Sequence, residues 1–395
     1  MRDSVPRGHI LELDAVRAIG LATVVAAHAS TGRGAEFSFV WLFMDLFFVL
    51  SGFLICGILL DTRDRTTYYR DFYTRRALRI LPAYYLLLLA VVTLARFGDP
   101  EPLKLMERDW GSPAWFFVYL GNVPSADVGF LPSWWGGALA PLWSLQVEEQ
   151  FYLLFPVLVR HLDGRALHRA LVALIVVSIG LRGAAILHDP DNAQLWWSLL
   201  PTRFDGLAIG SLIALAYRRG FSPRPSRALL AAAVIAPLCA LAAMQWSGLT
   251  PIKPLTALVG PTMFAASSGL LLIAILTHRG QPVTALLRHP VLLRLGKVSY
   301  GGYLFHLPAL GLFTAALGRA GYSVPSSWRI PVALLLTWFA AQASWRWIEA
   351  PCLRARDARR PADGTALSAA PAPAVGPSES PPCAAMEGRA PATPS

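Results

Sequence analysis

The sequence predicts an all-α, polytopic membrane protein of about ten transmembrane helices, with both termini on the cytoplasmic side. Three observations predict it. Of 395 residues, 55% are hydrophobic and 15% charged, where soluble domains run at roughly 45–50% and about 25%. Ten stretches approach the length of about 20 mostly apolar residues that a helix needs to cross a bilayer. The basic residues, finally, gather between alternate stretches, as the positive-inside rule requires.

The expected spans lie near residues 14–31, 39–60, 80–96, 140–160, 169–187, 202–217, 228–246, 255–277, 298–317 and 330–350. The fourth and sixth are the least hydrophobic, because they carry Glu148 with Glu149 and Arg203 with Asp205. Within the first span, Ala27-His28-Ala29 mimics a signal-peptidase site, but Asp14 and Arg17 inside the run argue against cleavage. With the N-terminus inside, 24 of the 35 Lys and Arg residues fall on inner segments and seven on outer ones. Both ends on one side demand an even number of crossings. The longest outer loop, 97–139, carries Trp110, Trp115, Trp134 and Trp135, which suit a membrane surface. Residues 1–351 therefore form one membrane-embedded domain. Residues 352–395 form a basic juxtamembrane segment and a tail rich in Ala, Pro and Ser, expected to be disordered in the cytoplasm.

Four cysteines (Cys56, Cys239, Cys352, Cys383) stand without paired spacing, which excludes a disulfide scaffold and a Cys-x-x-Cys metal site. No metal is expected. The net charge of +11 would suggest nucleic acid in a soluble protein, but short basic clusters between apolar runs are explained by topology. The lipid bilayer is the expected partner, and nucleic acid is not.

Ionisable groups inside hydrocarbon cost at least about 2.5–3.5 kcal/mol at a helix centre, so they usually face a cavity or a partner. Arg17 and His28 are eleven residues apart; at about 100° per residue they project within about 20° of each other, roughly 16 Å apart along the axis. Asp14 shares their face. A structural reading stands beside the functional one: Asp14 and Arg17 form an i,i+3 ion pair, and His28 makes an interhelical hydrogen bond. Adjacent carboxylates at Glu148 and Glu149 can do acid–base work, bind a cation or accept hydrogen bonds from arginines on neighbouring helices. Ser144 shares the face of Glu148, and Gln146 and Gln150 that of Glu149. His306 lies two turns into the ninth span, where a structural role is the simpler reading. The stretch from Tyr69 to Ile80, with Arg70, Arg75, Arg76 and Arg79, is basic and aromatic; attraction to anionic lipid explains it, and a cradle for a phosphorylated ligand would use the same arginines.

Read together, these motifs resemble the acyltransferase 3 family of integral membrane acyltransferases, from residue 12 to about 351. Leu13-Asp14-Ala15-Val16-Arg17-Ala18 with His28 is similar to the family's opening motif, an Arg and a His separated by ten residues. Met44-Asp45-Leu46-Phe47-Phe48-Val49-Leu50-Ser51-Gly52-Phe53-Leu54-Ile55 resembles its second-helix signature. Arg76-Ala77-Leu78-Arg79 followed by Pro82-Ala83-Tyr84 resembles its Arg-x-x-Arg element. Trp143-Ser144 through Glu148-Glu149-Gln150-Phe151-Tyr152, Ser299-Tyr300 through Tyr303-Leu304-Phe305-His306, and Ile348-Glu349-Ala350-Pro351 complete the order. Ala15, Met44 and Gln146 depart from the common pattern, and none of them touches Arg17, His28, Arg76 or Arg79.

The resemblance implies a bacterial inner-membrane O-acyltransferase. It would move an acyl group, commonly acetyl from acetyl-CoA, to a hydroxyl of a carbohydrate, glycolipid or small natural-product acceptor. On that basis Arg75, Arg76 and Arg79 are expected to hold CoA phosphates, while Arg17 neutralises charge deeper in. His28, with an ordinary pKa of about 6.5, deprotonates the acceptor or carries the acyl group. Glu148 or Glu149 orients a histidine, and Arg203, Asp205 and His306 are placed on the acceptor side. Some relatives carry an extracellular esterase-like domain, and no such sequence is recognisable here. The membrane domain is then expected to complete the transfer, which makes heavily processed cell-wall substrates less expected. The same buried charges also describe a transporter or flippase; acyl transfer from labelled acetyl-CoA, against movement of an unmodified solute, separates the two.

Overall fold

The computed structural model describes residues 9–30, 40–97, 112–128, 139, 141–246 and 254–358. Helix accounts for 85% of them, and no strand occurs among the described residues. Ten of the helices described run 19 residues or more: α1 (Leu11–Ala29), α2 (Val40–Thr62), α3 (Tyr68–Phe97), α4 (Leu142–His161), α5 (Gly164–His188), α6 (Leu200–Arg218), α7 (Arg227–Trp246), α8 (Pro254–Thr277), α9 (Ser299–Arg319) and α10 (Ser326–Ser344). Among the described residues, six segments are long and apolar enough to cross a membrane: Phe43–Thr62, Tyr68–Leu94, Gly164–His188, Gln194–Arg218, Pro254–Thr277 and Ser299–Arg319. Helices α1 and α4 also carry charge within their length, Glu12, Asp14 and Arg17 in one and Glu148 and Glu149 in the other.

Two boundaries differ from the sequence expectation. The basic stretch before the third span is itself helical, so α3 begins at Tyr68 and runs 30 residues. Hydropathy marks where lipid begins, whereas a helix needs only its backbone hydrogen bonds and extends into polar surroundings. At the other end, α10 passes through a π turn, Trp345–Glu349, into a further helix, Ala350–Ala358. Trp110, Trp134, Trp135 and the tail beyond residue 358 lie outside the described residues.

The centre of the bundle is the crossing of α2 and α6. A side chain at Gly52 would collide with the Leu207 carbonyl, and one at Gly210 with the Val49 carbonyl, so each glycine admits the opposite backbone. Small residues permit such approach where lipid supplies no hydrophobic drive between helices. Ser211 Oγ reinforces it, donating to the Gly52 carbonyl at 3.2 Å. Phe48, Val49, Leu50, Phe53, Leu207 and Ala214 fill the surrounding core. Helices α5 and α8 flank this pair, and α1 lies between α2 on one side and α9 with α10 on the other. Away from the centre, α5 presents Val172, Val176, Val177 and Leu181 outward, an apolar face suited to hydrocarbon.

Candidate functional site

Helix α1 carries the first part of the site. Its buried face includes Asp14, Leu21, Val24 and Val25, and Ile19 is exposed on the other side. At 100° per residue, Arg17, Leu21 and His28 share one face, opposite Ile19. His28 is nevertheless exposed, so its open surface faces the protein side of the helix rather than the Ile19 side. The expected i,i+3 pair is present: Arg17 Nη1 donates to Asp14 Oδ1 at 3.1 Å. Asp14 Oδ2 also pairs with His9 Nε2 at 2.7 Å. That hydrogen bond, outside the spanning segment, raises the His9 pKa above its ordinary value. Gly296, in the short helix Pro290–Lys297, lies against the Asp14 backbone and fixes this end of α1.

His28 meets His306 of α9. The His28 Nδ1 to His306 Nε2 distance is 2.9 Å. The ring centroids are 5.1 Å apart and the planes 23° from parallel, so the contact runs edge to edge, nitrogen to nitrogen. His306 is 2% exposed, and its Nδ1 donates to the Tyr303 carbonyl at 2.6 Å. Tyr303 in turn contacts Ser144 of α4, with 2.7 Å between the hydroxyl oxygens. Sequence alone left His306 as a structural residue; a separation of 278 positions hides the pairing.

The remaining charges converge from α2, α3, α4 and the π turn. Ser51 Oγ donates to Glu148 Oε1 at 2.5 Å. The Arg76 guanidinium lies 5.0 Å from the centre of the Tyr152 ring, within electrostatic reach of both Glu148 and Glu149. Arg79 sits within reach of Arg17, Arg76, Glu349 and Asp14. It is exposed, and among the described residues it makes no hydrogen bond or ion pair. Arg75, one position before Arg76, is half-buried on the same turn. Glu349 is 1% exposed and accepts from Ser344 Oγ at 2.7 Å, a contact that the wide π turn makes possible. Gln150 Nε2 donates to the Tyr119 carbonyl at 2.7 Å and to Asn122 Oδ1 at 2.9 Å, tying the 112–128 segment to α4. Among the described residues, no three His, Cys, Asp or Glu side chains converge as a metal cage would.

Arg203 and Asp205, expected to contact an acceptor, are fully buried instead. Arg203 Nη2 donates to Asp45 Oδ1 at 2.5 Å, and its guanidinium lies 4.3 Å from the Trp197 ring centre and 5.3 Å from that of Phe48. Among the described residues its Nε and Nη1, and Asp45 Oδ2, have no hydrogen-bond partner; for the guanidinium, the aromatic faces stand in place of acceptors. Asp205 Oδ2 accepts from Arg182 Nη1 at 2.8 Å and from Thr262 Oγ1 at 2.6 Å. Arg182 also donates to the carbonyls of Thr202 and Leu258, which joins α5, α6 and α8.

Sequence reasoning missed two members of this network. Asp45 sits in a strongly apolar helix, and that alone signalled a buried partner. Glu12, fully buried, accepts from Arg288 Nε at 2.8 Å and Arg279 Nε at 3.3 Å; its signal was a carboxylate just before Asp14 at the head of a spanning helix.

Comparison with known proteins adds to this geometry. A family model, Acyl_transf_3 (acyltransferase domain), matches residues 10–346. The chain is 31% identical over 366 residues to the peptidoglycan O-acetyltransferase OatA of Listeria monocytogenes, covering 87% of this chain and 56% of that one. It is 30% identical over 361 residues to the putative peptidoglycan O-acetyltransferase YrhL of Bacillus subtilis, covering 87% and 55%. With the O-acetyltransferase OatA of Staphylococcus aureus it shares 29% over 354 residues, covering 86% and 56%. The chain thus spans about half the length of the curated relatives it matches. No solved structure matches it.

Proposed function

The chain belongs to the acyltransferase 3 family, and from that premise we propose that it is a membrane-bound O-acyltransferase, moving an acetyl group from acetyl-CoA to a hydroxyl of a carbohydrate acceptor. One observation carries the reading. Residues drawn from helices far apart in sequence form two groups, Asp14 and Arg17 of α1 with Arg76 and Arg79 of α3 and Glu148 and Glu149 of α4, and His28 of α1 with His306 of α9; Tyr303, against His306 and Ser144 and within reach of Glu148, stands between them, and each group retains an exposed member, Arg79 and His28.

In this reading all ten helices cross the bacterial inner membrane, and both termini are cytoplasmic. Arg79, exposed and unpaired, binds a CoA phosphate with Arg75 and Arg76, as guanidinium groups do. Arg17 offsets charge between this cradle and His28. The acceptor hydroxyl oxygen attacks the thioester carbonyl carbon as His28 takes the hydroxyl proton. The C–O bond forms, the C–S bond breaks, and the CoA thiolate leaves and recovers that proton from the imidazolium. Arg203 and Asp205, with no exposed surface, brace the wall behind the site. The relatives' names bring peptidoglycan into the acceptor class, which the sequence alone had ranked low.

The experiment is transfer of labelled acetyl from acetyl-CoA by the purified protein in lipid nanodiscs, to carbohydrate acceptors including peptidoglycan fragments. His28→Ala should lower turnover at least about 100-fold, the low end of general-base contributions, with the protein still inserted and monodisperse. Normal turnover in that variant would remove the mechanism.

A further inference from the structure

We infer that His306 is a positioning residue for His28, fixing which of its two nitrogens is free to take a proton. This rests on the reading of His28 as the reacting base. The argument starts from a group that can only accept. The Tyr303 carbonyl lies 2.6 Å from His306 Nδ1, so that nitrogen carries a hydrogen. A neutral imidazole has one donor and one acceptor nitrogen, which leaves His306 Nε2 as an acceptor. His28 Nδ1, 2.9 Å away, is then the donor. The consequence reaches the far side of the His28 ring: its Nε2 is bare, holding the lone pair that a base or nucleophile needs.

The chain of donors thus runs in one direction, from His28 through His306 to the Tyr303 carbonyl. The burial of His306 contrasts with the exposure of His28; one ring is clamped and the other open. When His28 Nε2 accepts a proton, its Nδ1–H remains bonded to the lone pair of His306, and the imidazolium is stabilised in place. Such a second group, acting through the hydrogen bond on the other ring nitrogen, is what sets a histidine's tautomer. Here the partner is a second imidazole rather than a carboxylate. Glu148 and Glu149 interact with Arg76, and neither hydrogen-bonds to a histidine among the described residues.

Two measurements test this. In wild-type protein, nitrogen-15 shifts of labelled histidine, assigned by loss of signal in His28→Ala and His306→Gln, should show both rings as Nδ1–H tautomers in the resting state. An Nε2–H tautomer at His28 would overturn the proposal whether or not the protein transfers acyl groups. In kinetics, His306→Leu should reduce kcat about 100-fold or more while KM for acetyl-CoA stays within about twofold, because the donor cradle is untouched. His306→Gln, which keeps an acceptor near the Nε2 position, should recover at least about tenfold of that loss. Equal losses in the Leu and Gln variants, or a His306→Leu kcat within about threefold of wild type, would sink the role while leaving His28 as the base.

Discussion

Around Asp45 and Asp205, two arginines are closed off from solvent, each with 0% of its side chain exposed. Around Asp14, Arg17 and His28, the same residue types remain half-open, and Arg79 and His28 are exposed. Both clusters lie between helices, and both combine Arg with carboxylate. The difference is accessibility. Arg182 spreads its donors over Asp205, Thr262 and two backbone carbonyls, so no group remains to receive a ligand. Arg79 lies within reach of Arg17 and Arg76 as well as of Glu349 and Asp14, and among the described residues it makes no hydrogen bond or ion pair, which leaves its donors for a bound anion. Intramembrane charge alone therefore does not mark a site; unspent donors on an open surface do.

The largest effects should separate the clusters by what they disturb. Arg182→Ala leaves Asp205 as an uncompensated buried charge and should lower stability by about 3–5 kcal/mol, read by chemical unfolding in micelles. Replacing both partners, Arg182→Met with Asp205→Leu, should restore most of that stability, and acyl transfer should follow the folded fraction. A well-folded double variant without activity would move this pair from the brace to the site.

Next in size is the proposed donor cradle. Arg76→Ala and Arg79→Ala should each weaken acetyl-CoA binding roughly tenfold, the loss of one charge-assisted hydrogen bond, with unfolding unchanged for Arg79→Ala. Arg219→Ala and Arg224→Ala, on the segment after α6, should change it by less than about twofold. Calorimetric titration gives both values, and equal losses at all four positions would assign the α3 arginines to lipid attraction alone.

The smallest effect belongs to His9. Its pKa is raised, mainly by the hydrogen bond to Asp14, so its contribution to stability is complete below the unfolded value near 6.5 and is lost as pH rises through the higher folded value. The side chain is 63% exposed, and screening limits the effect to less than about 1 kcal/mol. The Tm difference between wild type and His9→Gln should shrink between pH 5.5 and pH 9; a difference that grows instead would contradict the assigned pair.

Much of this arrangement was legible in the residues. Apolar runs placed the long helices, because lipid-facing side chains such as Val172 and Val176 report their surroundings directly. The 100° rule aligned Asp14, Arg17 and His28, since geometry within one helix follows from spacing. What spacing does not carry is contact between helices. His28 with His306, and Asp45 with Arg203, meet across 278 and 158 positions, the second pair through a helix crossing that depends on glycines at 52 and 210. The start of α3 was hidden for another reason: its first turns are polar, and polarity does not break a helix.

The π turn at Trp345–Glu349 acts as a phase shift in an otherwise regular spiral. Ordinary winding of the same residues would swing all that follows by about 100°. Glu349 would then leave the Ser344 hydroxyl and the neighbourhood of Arg79, although every amino acid with a chemical role had been retained. Winding in this short stretch is thus as much a determinant of the cluster's charge balance as identity is.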